Sequence, residues 1–242
     1  YRIAQAAGLR IGIIGLTTRE TATTTNPVTV ASLRFADYES TLRNLVPRIE
    51  ALKVGPYTAG NDVDYGPVVT AAAKENILGL VQTGVDQGAE LVVDGRDFNL
   101  QGYEDGFFVG AHLFDHVTPD MDIYRKEIFG PVLSCVRAQS YEEAIGLAMD
   151  HEYGNGTAIY TRDGDTARDF ANRINIGMVG INVPIPVPLA YHTFGGWKKS
   201  AFGDLNQHGP DAFKFYTRTK TVTSRWPSGI KEGGEFNFKA MD

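Results

Sequence analysis

The stretch Lys126-Glu127-Ile128-Phe129-Gly130-Pro131-Val132 begins with two charged residues, continues with two apolar residues and ends in a Gly-Pro pair that introduces an apolar segment. Proline fixes its own backbone and restricts the residue before it, so Gly130-Pro131 ends one segment and begins another. The run Val132–Val136 that follows is short and apolar, with a β-branched valine at each end, which predicts a buried strand. The rest of the chain can be described outward from this strand.

Helices and strands alternate on both sides of it. Downstream, the spacing of apolar residues predicts a helix, a strand, a helix and a strand at Tyr141–Met149, Thr157–Thr161, Asp165–Ile174 and Met178–Asn182. Upstream, it predicts a helix, a short strand and an extended segment at Thr70–Asp86, Glu90–Val93 and Phe107–Val117. Strands that alternate with helices of this length favour an α/β fold with crossover connections.

The two ends of the chain are prone to form strands. Arg2–Ala7 and Leu9–Thr18 have strand composition, and the Thr-rich stretch Thr21–Thr29 predicts a loop. Apolar residues at helical spacing follow, and Pro47 predicts a kink or a restart within that helix. Phe215–Trp226, near the other end, is Thr-rich and predicts a long strand.

The composition limits the classes of protein that are expected. The 242 residues are 43% hydrophobic and 21% charged, as in an ordinary globular protein. A net charge of −6 without a long basic run argues against a nucleic-acid partner. One cysteine excludes an intrachain disulfide and favours a reducing, cytoplasmic location. No apolar run approaches the ~20 residues that span a bilayer, and no signal-peptide pattern opens the sequence, so no membrane association is expected.

Glu127 and Phe129 are the first candidates for ligand binding. Residues two apart on an extended segment point to the same side, so these two side chains are expected to face one ligand together. The carboxylate would accept hydrogen bonds from ribose hydroxyls, and the ring would pack on a flat heterocycle. The alternative is an ordinary surface carboxylate, which the neighbouring Lys126 fits equally well.

Four motifs resemble the C-terminal part of an aldehyde dehydrogenase, and they occur in that family's order: KEIFGPV from Lys126, YGNGTAIYT from Tyr153, GMVGINVPIPVPL from Gly177 and FGGWKKSAFGD from Phe194. The proline-rich Val183–Pro188 narrows the resemblance to the CoA-acylating methylmalonate-semialdehyde dehydrogenases. It extends from about Leu45 to the end. Residues 1–44 instead resemble a fragment of a 5′-nucleotidase metallophosphoesterase.

The resemblance implies an incomplete catalytic domain at 45–212, an oligomerisation strand and tail at 213–242, and an appended N-terminal β/α fragment at 1–44. It also implies NAD as coenzyme, CoA as co-substrate and a small acyl semialdehyde as substrate. Glu127 becomes the ribose ligand and Phe129 a wall beside the nicotinamide. Ile185, Val187 and Phe194 would line the aldehyde entrance, and Lys198-Lys199 could meet a CoA phosphate, although a solvated charge pair is preferred.

No catalytic residue is assigned in this chain. The family's chemistry needs a thiolate nucleophile and an oxyanion-stabilising Asn, and both belong to a part of the family upstream of these motifs. Cys135, the one cysteine, lies in an apolar run with no adjacent histidine, which predicts a buried core residue rather than a nucleophile.

A metal site is not expected either. His112 and His116 are four residues apart, but on an extended segment that spacing separates them, and no further His or Cys completes a ligand set. Residues 1–44 contain no histidine and a single aspartate, Asp37, which does not suffice for a two-metal phosphoesterase.

Two hypotheses follow. In the first, the chain is the C-terminal part of an NAD-dependent, CoA-acylating semialdehyde dehydrogenase, inactive by itself. In the second, it is a non-catalytic fusion or fragment that keeps the fold and the assembly surface. Under both, Phe215–Trp226 is expected to pair with a second copy of the chain, as the matching segment does in the resembled family, and to give a homo-oligomer.

Overall fold

A computed structural model of the chain describes residues 11–17, 28–34, 38–183, 186–224 and 226. For residues 11–41 and 61–62 within these ranges, the description covers the backbone alone. None of the helices in these ranges is long and apolar enough to cross a membrane.

Nine strands and six helices are described. The strands are β1 Ile11–Thr17, β2 Val28–Arg34, β3 Glu90–Val93, β4 His112–Asp115, β5 Val132–Ala138, β6 Tyr153–Gly154, β7 Gly156–Thr161, β8 Met178–Ile181 and β9 Trp197–Lys198. The helices are α1 Tyr38–Glu50, α2 Ala71–Asp86, α3 Asp122–Arg125, α4 Tyr141–Asp150, α5 Gly164–Arg173 and α6 Asp211–Tyr216. The predicted α/β class is confirmed.

The main sheet has seven strands in the order β3-β4-β5-β2-β1-β7-β8, and β6 and β9 form a separate pair. β2 runs parallel to β5, β1 runs antiparallel to both β2 and β7, and β7 runs parallel to β8. It follows that β5, β7 and β8 share one direction. The residues that precede these three strands therefore gather at one end of the sheet, which we call its amino end.

The N-terminal segment contributes to the middle of this sheet. β1 and β2 pair with each other and lie between β5 and β7. β2 was not expected from the sequence, because Thr21–Thr29 predicted a loop and no strand was assigned after it. The division at residues 44 and 45 falls inside α1 and stays a prediction.

Helix α1 continues through Pro47 and does not restart there, contrary to one expectation from the sequence. Leu45 and Ile49 on one face of the helix are buried in a cluster with Leu113 of β4 and Cys135 of β5. Proline removes one intrahelical hydrogen bond, but burial of several apolar side chains is worth more than that bond.

Two further clusters fill the core beside the strands. Ile77 and Val81 of α2 pack with Phe114 of β4, and this cluster also includes Ile123 of α3. On α4 and α5, Ile145 and Phe170 pack with Ile159 of β7. The apolar faces of these helices therefore pack on the strands of the main sheet and complete the core.

The predicted strand Phe215–Trp226 is not formed in the described part of the chain. Phe215 and Tyr216 belong to α6, and Thr217–Ser224 continues without regular secondary structure and is exposed. Thr and aromatic residues favour strands only when a neighbouring strand offers hydrogen bonds, and here none of the described strands pairs with this segment.

Candidate functional site

The segment Glu127–Gly130 lies between the short helix α3 and the start of β5. Ile128 is buried in the core, 2% exposed, whereas Phe129 is 37% exposed and Glu127 is half-buried. Phe129 has a φ of 59°, so the backbone is not extended at this residue, contrary to the expectation from the sequence. The Phe129 side chain is nevertheless exposed beside the buried Ile128, whereas one carboxylate oxygen of Glu127, Oε1, is buried.

Two contacts hold this segment in place. The Nζ of Lys126 lies 2.9 Å from the Oδ2 of Asp122 at the start of α3. A Cβ at Gly130 would come within 2.7 Å of the Ile77 side chain, so the glycine backbone packs directly on α2. The candidate coenzyme residues are thus carried by a loop with a fixed position rather than by a free one.

Cys135 is completely buried in β5. Burial raises the pKa of its thiol to about 12, and the nearby Asp115 carboxylate adds to this shift. A thiol in this state is neither ionised nor accessible near neutral pH, whereas a catalytic cysteine must be both. These properties agree with the expectation of a core cysteine.

The candidate substrate residues lie on the loop that follows β8. Ile185 lies outside the described residues, and Val187 is 49% exposed. Phe194 is half-buried, and its ring centroid lies 4.2 Å from that of His208. Phe194 and Val187 therefore belong to the surface, at different points of one loop.

A glycine turn brings the end of this loop to the amino end of the sheet. Gly195 and Gly196 have φ values of 78° and 84°, which favour glycine. Gly195 packs against Asn155, which precedes β7, and against Gly177, which precedes β8. Since Glu127–Gly130 precedes β5, the structure brings the coenzyme segment and Phe194 to the same end of the sheet.

Lys198 and Lys199 are both engaged within the chain. The Nζ of Lys198 donates to the carbonyl oxygens of Met149 at 2.6 Å and His151 at 3.0 Å, at the end of α4. Burial lowers the pKa of Lys198. Lys199 forms an ion pair with Glu152. Lys198 is therefore a helix-capping residue, whereas Lys199 is 67% exposed and forms a solvated surface ion pair.

Among the described residues, Glu90, Asp115 and His116 are the acidic and imidazole groups that approach one another most closely, with ligand atoms within 4.8 Å. The Asp115 carboxylate, however, forms an ion pair with Arg137. The Arg137 guanidinium already supplies the positive charge that a metal ion would bring to this group. His112 is buried inside β4, whereas His116 is exposed after the strand, so the two histidines do not share a site.

One buried residue with hydrogen bonds to two separate elements was missed from the sequence. His151 follows α4 and contacts both the end of α3 and the start of β6. Neither its spacing nor its neighbours in the sequence indicate this role, because both contacts are made to backbone atoms and the contact to Tyr124 spans 27 residues of sequence.

A family model for the aldehyde dehydrogenase family matches residues 20–222 of the 242 residues. The chain belongs to the aldehyde dehydrogenase family. The match begins inside the N-terminal segment that resembles a metallophosphoesterase, so that earlier resemblance is unsupported over residues 20–44.

Related proteins carry semialdehyde dehydrogenase names. The malonate-semialdehyde dehydrogenase of Pseudomonas aeruginosa is 56% identical over 204 residues, which are 84% of this chain and 41% of the relative. The acylating, mitochondrial methylmalonate-semialdehyde dehydrogenase of Arabidopsis thaliana is 50% identical over 78% of this chain and 31% of its own length. The chain thus spans 31–41% of these two curated relatives.

Solved structures agree with this assignment. A Sinorhizobium meliloti structure described as a methylmalonate-semialdehyde dehydrogenase complexed with NAD is 69% identical, with a TM-score of 0.74 over 80% of this chain and 39% of that chain. The methylmalonate-semialdehyde dehydrogenase of Oceanimonas doudoroffii is 52% identical, with a TM-score of 0.75 over 80% and 40%. The resemblance stated from the motifs is confirmed.

Proposed function

We propose that this chain forms the C-terminal, coenzyme-contacting and substrate-entrance part of an NAD-dependent, CoA-acylating semialdehyde dehydrogenase. The observation that carries the proposal is that Glu127–Gly130 precedes β5 while Gly195, next to Phe194, packs beside the starts of β7 and β8, which is the same end of one sheet. The proposal is supported by the 69% identity to a structure that holds NAD.

NAD would be held, on the side of this chain, by Glu127 and Phe129. The half-buried carboxylate of Glu127 has the chemistry to accept bonds from ribose hydroxyls, and charge-assisted bonds of this kind are among the stronger ones in proteins. The exposed Phe129 ring offers a flat apolar surface for the nicotinamide. The coenzyme, when bound, accepts the hydride that leaves the aldehyde carbon.

The aldehyde would approach along the loop that carries Ile185, Val187 and Phe194. The half-buried ring of Phe194 is held by the glycine turn and by His208, so it presents a fixed apolar wall. A small semialdehyde is the substrate class favoured by the names of the relatives. CoA would then take the acyl group, and Lys198, which caps α4, is not assigned to its phosphates.

By itself, the chain is proposed to turn over no aldehyde. Its one cysteine is buried, with a thiol pKa of about 12, and covalent aldehyde oxidation needs an accessible thiolate. The same observation favours the second candidate function, a non-catalytic protein that keeps the fold and an assembly surface. The cytoplasmic location and the homo-oligomer stay predictions.

Turnover by the isolated chain tests the proposal of inactivity. Purified protein is incubated with NAD, CoA and malonate semialdehyde, and NADH is followed by its absorbance. We expect no NADH above the blank, with Cys135→Ala indistinguishable from the wild type. Steady NADH formation that disappears in Cys135→Ala would make Cys135 the nucleophile and overturn the proposal.

A hybrid enzyme tests the role of Glu127. Residues 45–226 of this chain replace the matching part of the Pseudomonas relative, and Glu127→Gln is compared with Glu104→Gln, an exposed carboxylate outside the segment. Loss of a charged acceptor costs ~1.5–3 kcal/mol, which corresponds to about a 10- to 100-fold lower kcat/KM for NAD. An unchanged kcat and KM in Glu127→Gln would exclude this assignment.

A further inference from the structure

The two candidate segments are neighbours at the amino end of the sheet but are carried by different strands. Glu127–Gly130 precedes β5, and Phe194–Gly196 packs beside the starts of β7 and β8. β2 and β1 lie between β5 and β7. Three strand spacings of about 4.8 Å separate β5 from β7 by roughly 14 Å. A contact that crosses this distance is needed to fix the position of one segment relative to the other.

His151 makes such a contact through its ring. The residue is 9% exposed, its Nε2 lies 3.2 Å from the carbonyl oxygen of Tyr124, and its Nδ1 lies 3.2 Å from the backbone nitrogen of Tyr153. The Tyr153 amide can only donate, so Nδ1 accepts and carries no proton. Nε2 must then carry the proton and donate to Tyr124. The neutral ring thus joins α3 to β6.

The backbone of His151 makes the second half of the connection. Its carbonyl oxygen accepts from the Nζ of Lys198 at 3.0 Å. Lys198 is in β9, directly after the glycine turn that carries Phe194, and β9 pairs with β6. Tyr124 stands three residues before Glu127. One residue is therefore linked to both candidate segments, within three or four residues of each.

We propose that His151 is a positioning residue that holds the coenzyme segment Glu127–Phe129 and the entrance residue Phe194 in a fixed relation. The importance of the two segments rests on the proposed function. The connection itself, made by Tyr124, His151, Tyr153 and Lys198, is called the His151 bracket. A proton on Nδ1 would point at the N–H of Tyr153, and the hydrogen bond between them would be lost. Protonation of His151 in acid therefore opens the His151 bracket, and both segments shift together.

The charged surroundings of the ring agree with a neutral imidazole near pH 7. Burial lowers the pKa of His151 below its ordinary 6.5, with a contribution in the opposite direction from Glu152 and one in the same direction from Lys198. Glu152 is paired with Lys199, and Asp150 and Arg125 are the remaining charges whose fields reach this group of residues. The rings of Tyr124 and Tyr153 pack on either side.

Backbone NMR of the isolated chain tests the bracket without any need for coenzyme or turnover. Amide signals of Glu127–Gly130 and of Phe194–Gly196 are followed from pH 7.5 to 5 in the wild type. The same titration is run for His151→Gln, which keeps a donor for Tyr124 but does not titrate, and for His151→Phe, which keeps a ring and removes both hydrogen bonds. His192→Gln, an exposed histidine on the entrance loop, is the matched control.

We expect both sets of wild-type amides to move with one midpoint below pH 6.5. The change at Phe194–Gly196 should be absent in His151→Gln and both changes should be unchanged in His192→Gln, while His151→Phe should displace both sets at every pH. A change that remains at Glu127–Gly130 in His151→Gln belongs to His112, whose backbone nitrogen donates to the carbonyl oxygen of Pro131 at 2.8 Å, and it should disappear in the double variant His112→Gln, His151→Gln. A change at Phe194–Gly196 that survives in His151→Gln, or wild-type amides of which only one set moves, would overturn the proposal. If His151→Phe does not fold, the glutamine variant still decides. None of these outcomes depends on NAD turnover, so a failure of the proposed function can be distinguished from a failure of this proposal.

Discussion

At the scale of single residues, Asp115 shows how the fold keeps a charge inside. Its side chain is 2% exposed, and it accepts from the Arg137 guanidinium and from the His116 backbone amide. Burial alone would raise the pKa of this carboxyl, but the two donors outweigh burial and hold the pKa below its usual range. Arg137 therefore stabilises the ionised form of this carboxyl.

We expect Arg137→Met to destabilise the chain by about 3 kcal/mol, because it leaves a buried carboxylate without its ion-pair partner. The free energy of unfolding is measured by urea denaturation near pH 7. The control is Arg168→Met, whose pair with Asp165 has side chains 72% and 86% exposed and should change stability by less than ~0.5 kcal/mol. Equal small losses in the two variants would contradict this account of Asp115.

At the scale of elements, helix α4 has polar side-chain contacts at both of its ends. The hydroxyl of Ser140, the N-cap residue, accepts from the backbone amide of Glu143, and the Glu143 side chain accepts from the amide of Gln139, one residue before the N-cap. The end of the helix is covered by the Nζ of Lys198. These polar contacts complete the helix that separates β5 from β7 in the sequence.

Ser140→Ala should lower the free energy of unfolding by ~1 kcal/mol, because the first-turn amide of Glu143 loses its acceptor. Ser140→Thr keeps a hydroxyl and should cost clearly less. Thermal or urea unfolding of the three proteins measures the difference. If alanine and threonine behave alike, the cap contributes nothing to stability.

The segment Thr217–Ser224 is the second element with a testable role. It is exposed and strand-prone, with Val222 75% exposed, and a second copy of the chain would supply the missing strand partner. We expect the wild type to form a dimer or a larger even-numbered assembly by light scattering. Val222→Pro should give monomers, because proline removes a ladder donor, and Val222→Thr should not. A wild-type monomer at micromolar concentration would exclude this assembly.

At the scale of the whole molecule, acid should unfold the chain through its buried histidines. Burial lowers the pKa of both His112 and His151 below the ordinary 6.5. Below that pH the unfolded chain binds protons that the folded chain does not, so stability is complete above about pH 6.5 and falls as the pH drops through the folded pKa values.

The expected slope is at most about 2.7 kcal/mol per pH unit for two histidines. Urea denaturation between pH 7.5 and 5 measures it, and His151→Gln should reduce it. Asp115 acts in a lower pH window, because its pKa in the folded chain lies below the usual range of a carboxyl and its contribution is lost only as the pH falls through that lowered pKa. A flat stability between pH 7 and 5 would show that the two imidazoles titrate normally in the fold.

Comparison with the sequence separates what local pattern predicts from what it does not. α2, β3, β5, α4, β7, α5 and β8 all begin and end within two residues of their predicted bounds, because the period of apolar residues is a local property of a chain segment. β2 was missed, and residues 215–224 and 226 form no strand within the single chain, because a strand needs a partner that its own sequence does not specify.

By itself, the sequence determined the α/β class, the order of most elements and the family. It also identified Glu127, Phe129 and Phe194 as candidate site residues. All of these are recorded in motifs and spacings along the chain. Only the tertiary structure decided the order of strands in the sheet, the left-handed turn at Phe129, the burial of Cys135 and the placement of the Glu127 and Phe194 segments at one end of the sheet. The physical reason is that strand order and burial arise from contacts between distant segments, such as those of His151 with Tyr124 and Lys198.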